Sequence, residues 1–293
     1  ATLALDEVTR RSLELTRTLR DNQREGSLLS VLDRTVTPMG ARLLHDSVLA
    51  PLTDPVAIDA RFDAVEEMLK DHKLRGQLRE LLEECADIQR LTTRVSTARA
   101  NPKDLAAIAR TLRKLPAVKA KLAGRRSPLL QDLEKRLELC PDIRELLDKA
   151  LTDDPPYIAK DGGTIKAGYN AELDELRTMM TEGKNWIARY QAQEITRTGI
   201  ASLKIAYNQV AGYYIEVTDT HRAKIPEGTG WIRKQTVRNA ERYITEELKK
   251  FEEDALGATE KAIALEQRLF EAVQQRLLPV LGQYQELAAG LAR

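Results

Sequence analysis

Aromatic rings are scarce in this sequence. Phe, Trp and Tyr make up 4% of its 293 residues, beside two cysteines, three histidines and a net charge of only +1. Each shortage excludes something. Cys85 and Cys140 lie far apart, without a CxxC spacing or a histidine partner, so they read as reduced core thiols of a cytosolic protein. His45, His72 and His221 are scattered. None stands at metal-ligand spacing from another or beside a Ser or Cys nucleophile. No GxxxxGK[ST] loop occurs, and Gly162-Gly163 is no phosphate cradle. The pair Asp153-Asp154 beside Pro155-Pro156 reads as a linker rather than a metal cluster. No apolar run approaches the roughly 20 residues that cross a bilayer. A chain so close to neutral is no polycation, so any affinity for nucleic acid must come from a local patch. The sequence opens on Ala1 rather than Met and reads as a piece of something longer.

What is present is charge and aliphatic surface: 31% charged and 42% hydrophobic residues. That profile suits helices that pack through Leu and Ala and carry solvated faces. Residues 1 to about 155 read as helices with short breaks. Thr9 opens one with capping chemistry, and Thr37-Pro38 places an N-cap before a proline at the first helical position. Ile58, Phe62, Val65 and Leu69 keep one apolar face on a helix starting near Asp59. Another helix runs from Asn101-Pro102 through Leu112. Further helices are expected over 129–139 and 143–151. After the break at 153–163, Leu173, Leu176, Met180, Ile187 and Tyr190 alternate three-four spacing, with Gly183 at the missing position. Ile244, Leu248, Phe251, Ala255, Ala258, Ala262, Leu265, Leu269 and Ala272 repeat the pattern. These predict a coiled-coil seam between two antiparallel helices, each about 40 Å long.

Between the two helices the composition changes. The stretch YNQVAGYYIEVT, residues 207–218, is rich in Tyr and β-branched residues. Strands are predicted at 202–207, 213–218 and 231–237, linked through Val210-Ala211-Gly212 and through Pro226–Gly230. Seven rings fall between Trp186 and Tyr243, whereas residues 1–150 contain only Phe62. A small sheet needs such bulk for its own core. Charge concentrates here too. From 199 to 238, Lys204, Arg222, Lys224, Arg233, Lys234 and Arg238 face only Glu216, Asp219 and Glu227. The densest piece, WIRKQTVRNAERY (231–243), reads as a strand handing over to a helix capped by Asn239. Cations, amide side chains and a helix start make a phosphate-binding surface. A solvated basic face with ordinary capping fits the same residues.

Three motifs occur in one order: REGSLLSVLDRTVTPMGARLL (24–44), YNQVAGYYIEVT (207–218) and RKQTVRNAERYITEELKKFE (233–252). Together they closely resemble the bacterial MutS family of DNA mismatch-recognition proteins, specifically its central core, or lever, domain with the inserted clamp. The resemblance implies a mainly α fold: a helical core (1–160), an outgoing lever helix (161–198), a small antiparallel β clamp at its tip (199–238), and a returning helix with the end of the core (239–293). It also implies that Arg233, Lys234, Gln235, Thr236, Arg238, Asn239 and Asn208 lie at or near the phosphates of double-stranded DNA. The family's Walker A loop does not occur here, and the one Phe-x-Glu string, Phe251-Glu252-Glu253, lies in the stretch that resembles the returning lever helix and not in the N-terminal domain where the family reads mismatches. ATP and Mg would therefore belong to other parts of a homodimeric parent. This piece would need no cofactor or metal, catalyse nothing, behave as a monomer away from membranes, and work at the nucleoid in the cytoplasm. The alternative from a different class is a helical scaffold whose β tip binds a protein.

Overall fold

The computed structural model describes residues 1–208 and 212–293, apart from the side chain of Lys184. The predicted link through Val210-Ala211 lies outside the described residues. Among these, the chain forms twelve α-helices and four strands. The helices are α1 (Glu7–Ser12), α2 (Leu28–Leu32), α3 (Pro38–Leu49), α4 (Pro55–Lys70), α5 (His72–Glu83), α6 (Ile88–Ser96), α7 (Pro102–Leu122), α8 (Pro128–Arg136), α9 (Pro141–Ala150), α10 (Ala171–Thr198), α11 (Glu246–Leu277) and α12 (Leu281–Ala292). The strands are β1 (Lys204–Asn208), β2 (Gly212–Thr218), β3 (Ile232–Val237) and β4 (Ala240–Ile244). A mainly α protein with one small antiparallel sheet is the fold the sequence predicts. No described helix is long and apolar enough to cross a membrane.

Helix starts follow side-chain chemistry. Asp6, Ser27, Thr37, Asp54, Asp71, Asp87, Asn101 and Asn170 each accept a backbone N–H from the first turn of the helix they precede. The cap of α1 is thus Asp6, and Thr9 supplies the N–H, at 2.7 Å. Prolines open α3, α4, α7, α8 and α9, where a missing N–H costs nothing.

The chain divides into two compact units. One comprises Ala1–Ala159, Gly163–Lys166 and Phe270–Arg293; the other comprises Lys160–Gly162 and Ala167–Leu269. In the first unit α7 is the central element. Asn101 and Asp104 close a reciprocal capping box, and Leu105, Ile108, Leu112 and Leu115 line one fully buried face. The helix continues past Pro116 to Leu122, ten residues beyond its predicted end at Leu112. Burial of Leu115, Val118 and Leu122 offsets the hydrogen bond that Pro116 cannot donate. Helices α5, α6, α8 and α9 pack on α7, and α12 packs on α3, α6 and α8. One predicted core face is reversed. Phe62, Val65 and Leu69 of α4 are exposed, and only Ala64 of that helix is buried. The side of α4 facing the fold carries Glu67, whose carboxylate accepts the N–H groups of Arg126 and Ser127 ahead of α8.

In the second unit α10 and α11 run antiparallel. Trp186 stacks on Phe251 with 4.4 Å between ring centroids, Tyr190 Oη meets Thr245 Oγ1 at 2.9 Å, and Arg177 donates to Glu266 at 3.1 Å. Gly183, the gap in the predicted seam, lies under the Phe251 ring; a Cβ there would approach it to 3.3 Å. On α11 the predicted track is buried at Leu248, Ala258, Ala262 and Leu265, then moves to Phe270, Val273 and Leu277, leaving Ala272 exposed. A straight helix drifts against a strict seven-residue repeat, and the division of the chain into units falls at Leu269/Phe270, where the track changes.

The sheet order is β1-β2-β4-β3, antiparallel throughout. Its inner face carries Ile205, Ile215, Val217 and Tyr243. It packs with Tyr190, Ile200, Leu203 and Leu248, flanked by Trp186 and Trp231. Five of the seven rings noted in the sequence belong to or flank this core, whereas Tyr207 is exposed and Tyr214 lies on the opposite face.

Candidate functional site

The basic stretch 231–243 is a β-hairpin, which corrects the predicted strand-to-helix handover. Arg238 and Asn239 form its two-residue turn, and Asn239 has φ +77°, left-handed backbone that asparagine tolerates. Asn239 is therefore no N-cap. Helix α11 starts only at Glu246, after β4, with Thr245 Oγ1 accepting the Leu248 N–H at 3.1 Å. The boundary drawn at 238/239 falls inside this hairpin.

The pairing register sorts the predicted site residues by face. Strand β3 is an edge strand, and Ile232, Arg233, Lys234, Gln235 and Thr236 are all exposed. A bulge between Arg233 and Gln235 leaves Lys234 as the extra residue. Arg233 and Thr236 stand opposite Tyr243 and Glu241, on the face that also carries the core. Gln235 stands on the other face, where its amide oxygen accepts from Arg242 at 3.1 Å. Arg242 also donates to Glu216 at 3.0 Å and lies over the Tyr214 ring at 4.4 Å. Of the four cations in the stretch, Arg242 is thus committed to the sheet. Lys234 and Arg238 have no ion pair among the described residues. Asn208 falls at the opposite end of the sheet. It pairs with Gly212 where β1 ends and β2 begins, whereas Ala240, next to the Arg238–Asn239 turn, pairs with Thr218. The structure brings Arg233, Lys234, Arg238 and Asn239 to one hairpin and separates Asn208 from them.

The same end of the sheet receives a segment absent from the predicted site. A 3-10 turn, Asp219–Lys224, follows β2 directly, and the Asp219 N–H donates to the Asn239 carbonyl at 3.1 Å. It carries Arg222, whose Nη1 lies 3.0 Å from Oε1 of Glu241. Arg233 Nη1 lies 3.3 Å from the same oxygen. The other oxygen accepts the Tyr243 hydroxyl at 2.5 Å. Burial pushes the Tyr243 phenol up to about 12, and the adjacent Glu241 adds to the shift. Both arginine side chains remain 57% exposed, while Glu241 is buried. Only the charge count could have pointed to Arg222. Nothing in the sequence marks Glu241, since AERYI resembles the start of the following helix.

A second buried carboxylate fixes the approach to β3. Glu194 of α10 accepts from Trp231 Nε1 at 2.9 Å and from Arg197 at 2.5 Å. The Glu194 bond holds the Arg197 guanidinium above its usual range. Arg197 in turn donates to the Thr229 carbonyl at 3.2 Å. No group of three or more His, Cys, Asp or Glu side chains suited to a metal occurs among the described residues. The arrangement offers cation donors on an exposed edge strand and its turn, which suits binding an anion.

Comparison with known proteins places these features in a family. Residues 8–293 match the family described as MutS domain III. The chain is 50% identical to the DNA mismatch repair protein MutS of Rhodopirellula baltica, and 47% identical to that of Salinibacter ruber. It is 42% identical to that of Methanothrix thermoacetophila. Each match covers 99% of this chain but only 32%, 32% and 34% of the relative, so the chain spans about a third of the length of the curated relatives it matches. With the match covering nearly every residue and the identity holding across it, the chain belongs to the MutS domain III family.

Proposed function

We propose that this chain is the lever and clamp of a mismatch-repair protein and grips the sugar-phosphate backbone of double-stranded DNA without reading its sequence. The observation that carries this reading is the exposed edge strand β3 with its Arg238–Asn239 turn. There Arg233, Lys234 and Arg238 project from a sheet held in place by its own aromatic core. Cations on an exposed strand and turn position a duplex through its phosphates and carry no sequence code. In this reading α10 and α11, of 28 and 32 residues, are the levers between the sheet and the rest of a dimeric parent. ATP hydrolysis and mismatch reading belong to other parts of that parent. The chain itself supplies binding and not catalysis, as a monomer in the cytoplasm.

The test is fluorescence anisotropy of labelled duplexes, homoduplex and single-mismatch in parallel, over a salt series. Binding should be micromolar or weaker, as for non-specific contacts, and indifferent to the mismatch. Its logarithm should fall with the logarithm of salt by about 0.9 per phosphate neutralised. Reversing charge with Arg233→Glu and Lys234→Glu should abolish binding and leave helicity unchanged. Tight, mismatch-selective binding would contradict this reading. A second reading takes over if no binding occurs even at low salt. Ile232, 58% exposed on the open edge β3, suits strand addition by a protein partner.

A further inference from the structure

Glu241 is an unusual residue to find inside a DNA-binding sheet. It is 2% exposed, and it stands in β4 beside the basic strand β3 and its turn. A carboxylate there repels phosphate. Burying one also costs several kcal/mol unless its oxygens are fully engaged. They are engaged, by the Tyr243 hydroxyl and by Arg222 and Arg233. The two arginines come from different elements, the 3-10 turn after β2 and the edge strand β3. One carboxylate oxygen is their common anchor.

Building on the backbone-clamp reading, we infer that Glu241 is a positioning residue and that Arg222 is a phosphate contact paired with Arg233. Glu241 takes up one Nη1 of each guanidinium. Each arginine has five N–H donors in a planar fork, so the remaining donors stay available on side chains that are more than half exposed. Fixing two flexible side chains in advance lowers the entropy lost when a phosphate diester binds between or beside them. The unit of two arginines and one glutamate keeps a net positive charge.

The inference separates from simple charge counting by sign. Replacing a carboxylate with a neutral amide makes the face more positive, so charge alone predicts that Glu241→Gln tightens DNA binding. Loss of the anchor predicts the reverse. The experiment is the same duplex titration on the whole chain, with Glu241→Gln, Arg222→Ala, Arg222→Lys and Arg233→Ala beside the unaltered protein. Trp fluorescence checks the sheet in each variant, since Trp231 packs against Tyr243. Arg222→Ala should weaken binding about as much as Arg233→Ala and reduce the salt slope by about 1. Arg222→Lys should keep the slope but lose several-fold in affinity, because lysine lacks the fork. Glu241→Gln should also weaken binding several-fold despite the added positive charge. Equal or tighter binding by a folded Glu241→Gln protein overturns the inference and leaves the clamp reading intact. So does an Arg222→Ala protein with unchanged affinity and slope, which decides the matter even if the Glu241 variant fails to fold. No binding by the unaltered protein at low salt overturns the clamp reading, and this inference with it.

Discussion

The two units of the chain stabilise themselves in different ways. In the unit centred on α7 the core is aliphatic, built from Leu105, Ile108, Leu112 and Leu115. It also takes in Phe270 and Tyr284, and its buried polar side chains are mostly small or local: Ser27 and Thr37 cap helices, and Asp104 closes a capping box and pairs with Arg94 at 3.1 Å. In the unit that holds the sheet, aromatic rings supply the bulk, and three glutamates are buried: Glu194, Glu241 and Glu266. Each has an arginine partner in Arg197, in Arg222 with Arg233, or in Arg177. The four-stranded sheet has a hydrophobic face large enough to hold it, and charged groups that tolerate few alternatives fix its geometry as well. Such pairs add less net stability than an aliphatic core, but losing one partner is costly.

The residue types happen to separate the two units for measurement. Both cysteines, Cys85 and Cys140, lie in the α7 unit, and both tryptophans, Trp186 and Trp231, lie in the sheet unit. Burial pushes the Cys85 thiol up to about 11, so at neutral pH it is shielded from alkylation until its surroundings open. Thiol labelling therefore reports one unit and tryptophan fluorescence the other. The largest expected effect is from Leu112→Ala, which removes a fully buried side chain and should cost about 2–5 kcal/mol. In urea, the labelling midpoint should fall well below that of the unaltered protein, and the fluorescence midpoint should move much less. Midpoints that move together would show one cooperative structure and break the comparison.

A smaller effect, of opposite location, is expected from Glu194→Ala. The Trp231 indole N–H loses its acceptor, and Arg197 loses the partner that orients it toward the Thr229 carbonyl. Leaving a half-buried donor without its acceptor costs about 1 kcal/mol. The fluorescence midpoint should fall and thiol labelling should hold. A variant as stable as the parent by both probes would mean that the buried carboxylates are incidental to the sheet.

Much of this fold is legible in the sequence because its rules are local. Caps at Thr37, Asn101 and Asn170 and the Tyr- and Ile-rich strands need only neighbours along the chain. The failures share one cause: the deciding partner is remote. Phe62, Val65 and Leu69 have perfect helical spacing, but spacing cannot say which side of α4 meets the fold. Glu241 and Arg242 look like helix residues. They are strand residues because Arg222, Arg233 and Glu216 satisfy their charges across the sheet. The basic residues of the hairpin are legible by type, Glu241 is not, and reading 239 onward as a helix is a misreading of geometry.

That misreading can be sharpened at Asn239, where the expected energy is smallest and the distinction clearest. As a helix N-cap, asparagine is matched by aspartate and weakened only slightly by glycine. In a hairpin turn at φ +77°, the demand is instead for a residue that enters left-handed space cheaply. Asn239→Gly should then be neutral or slightly stabilising, while Asn239→Ala should cost about 1 kcal/mol, seen in the fluorescence midpoint. Because α11 begins seven residues later, none of these changes should alter helix content by circular dichroism. A loss of helicity in Asn239→Ala would return the residue to the start of a helix. It would also undo the pairing of β3 with β4, on which the placement of Glu241 between its two arginines depends.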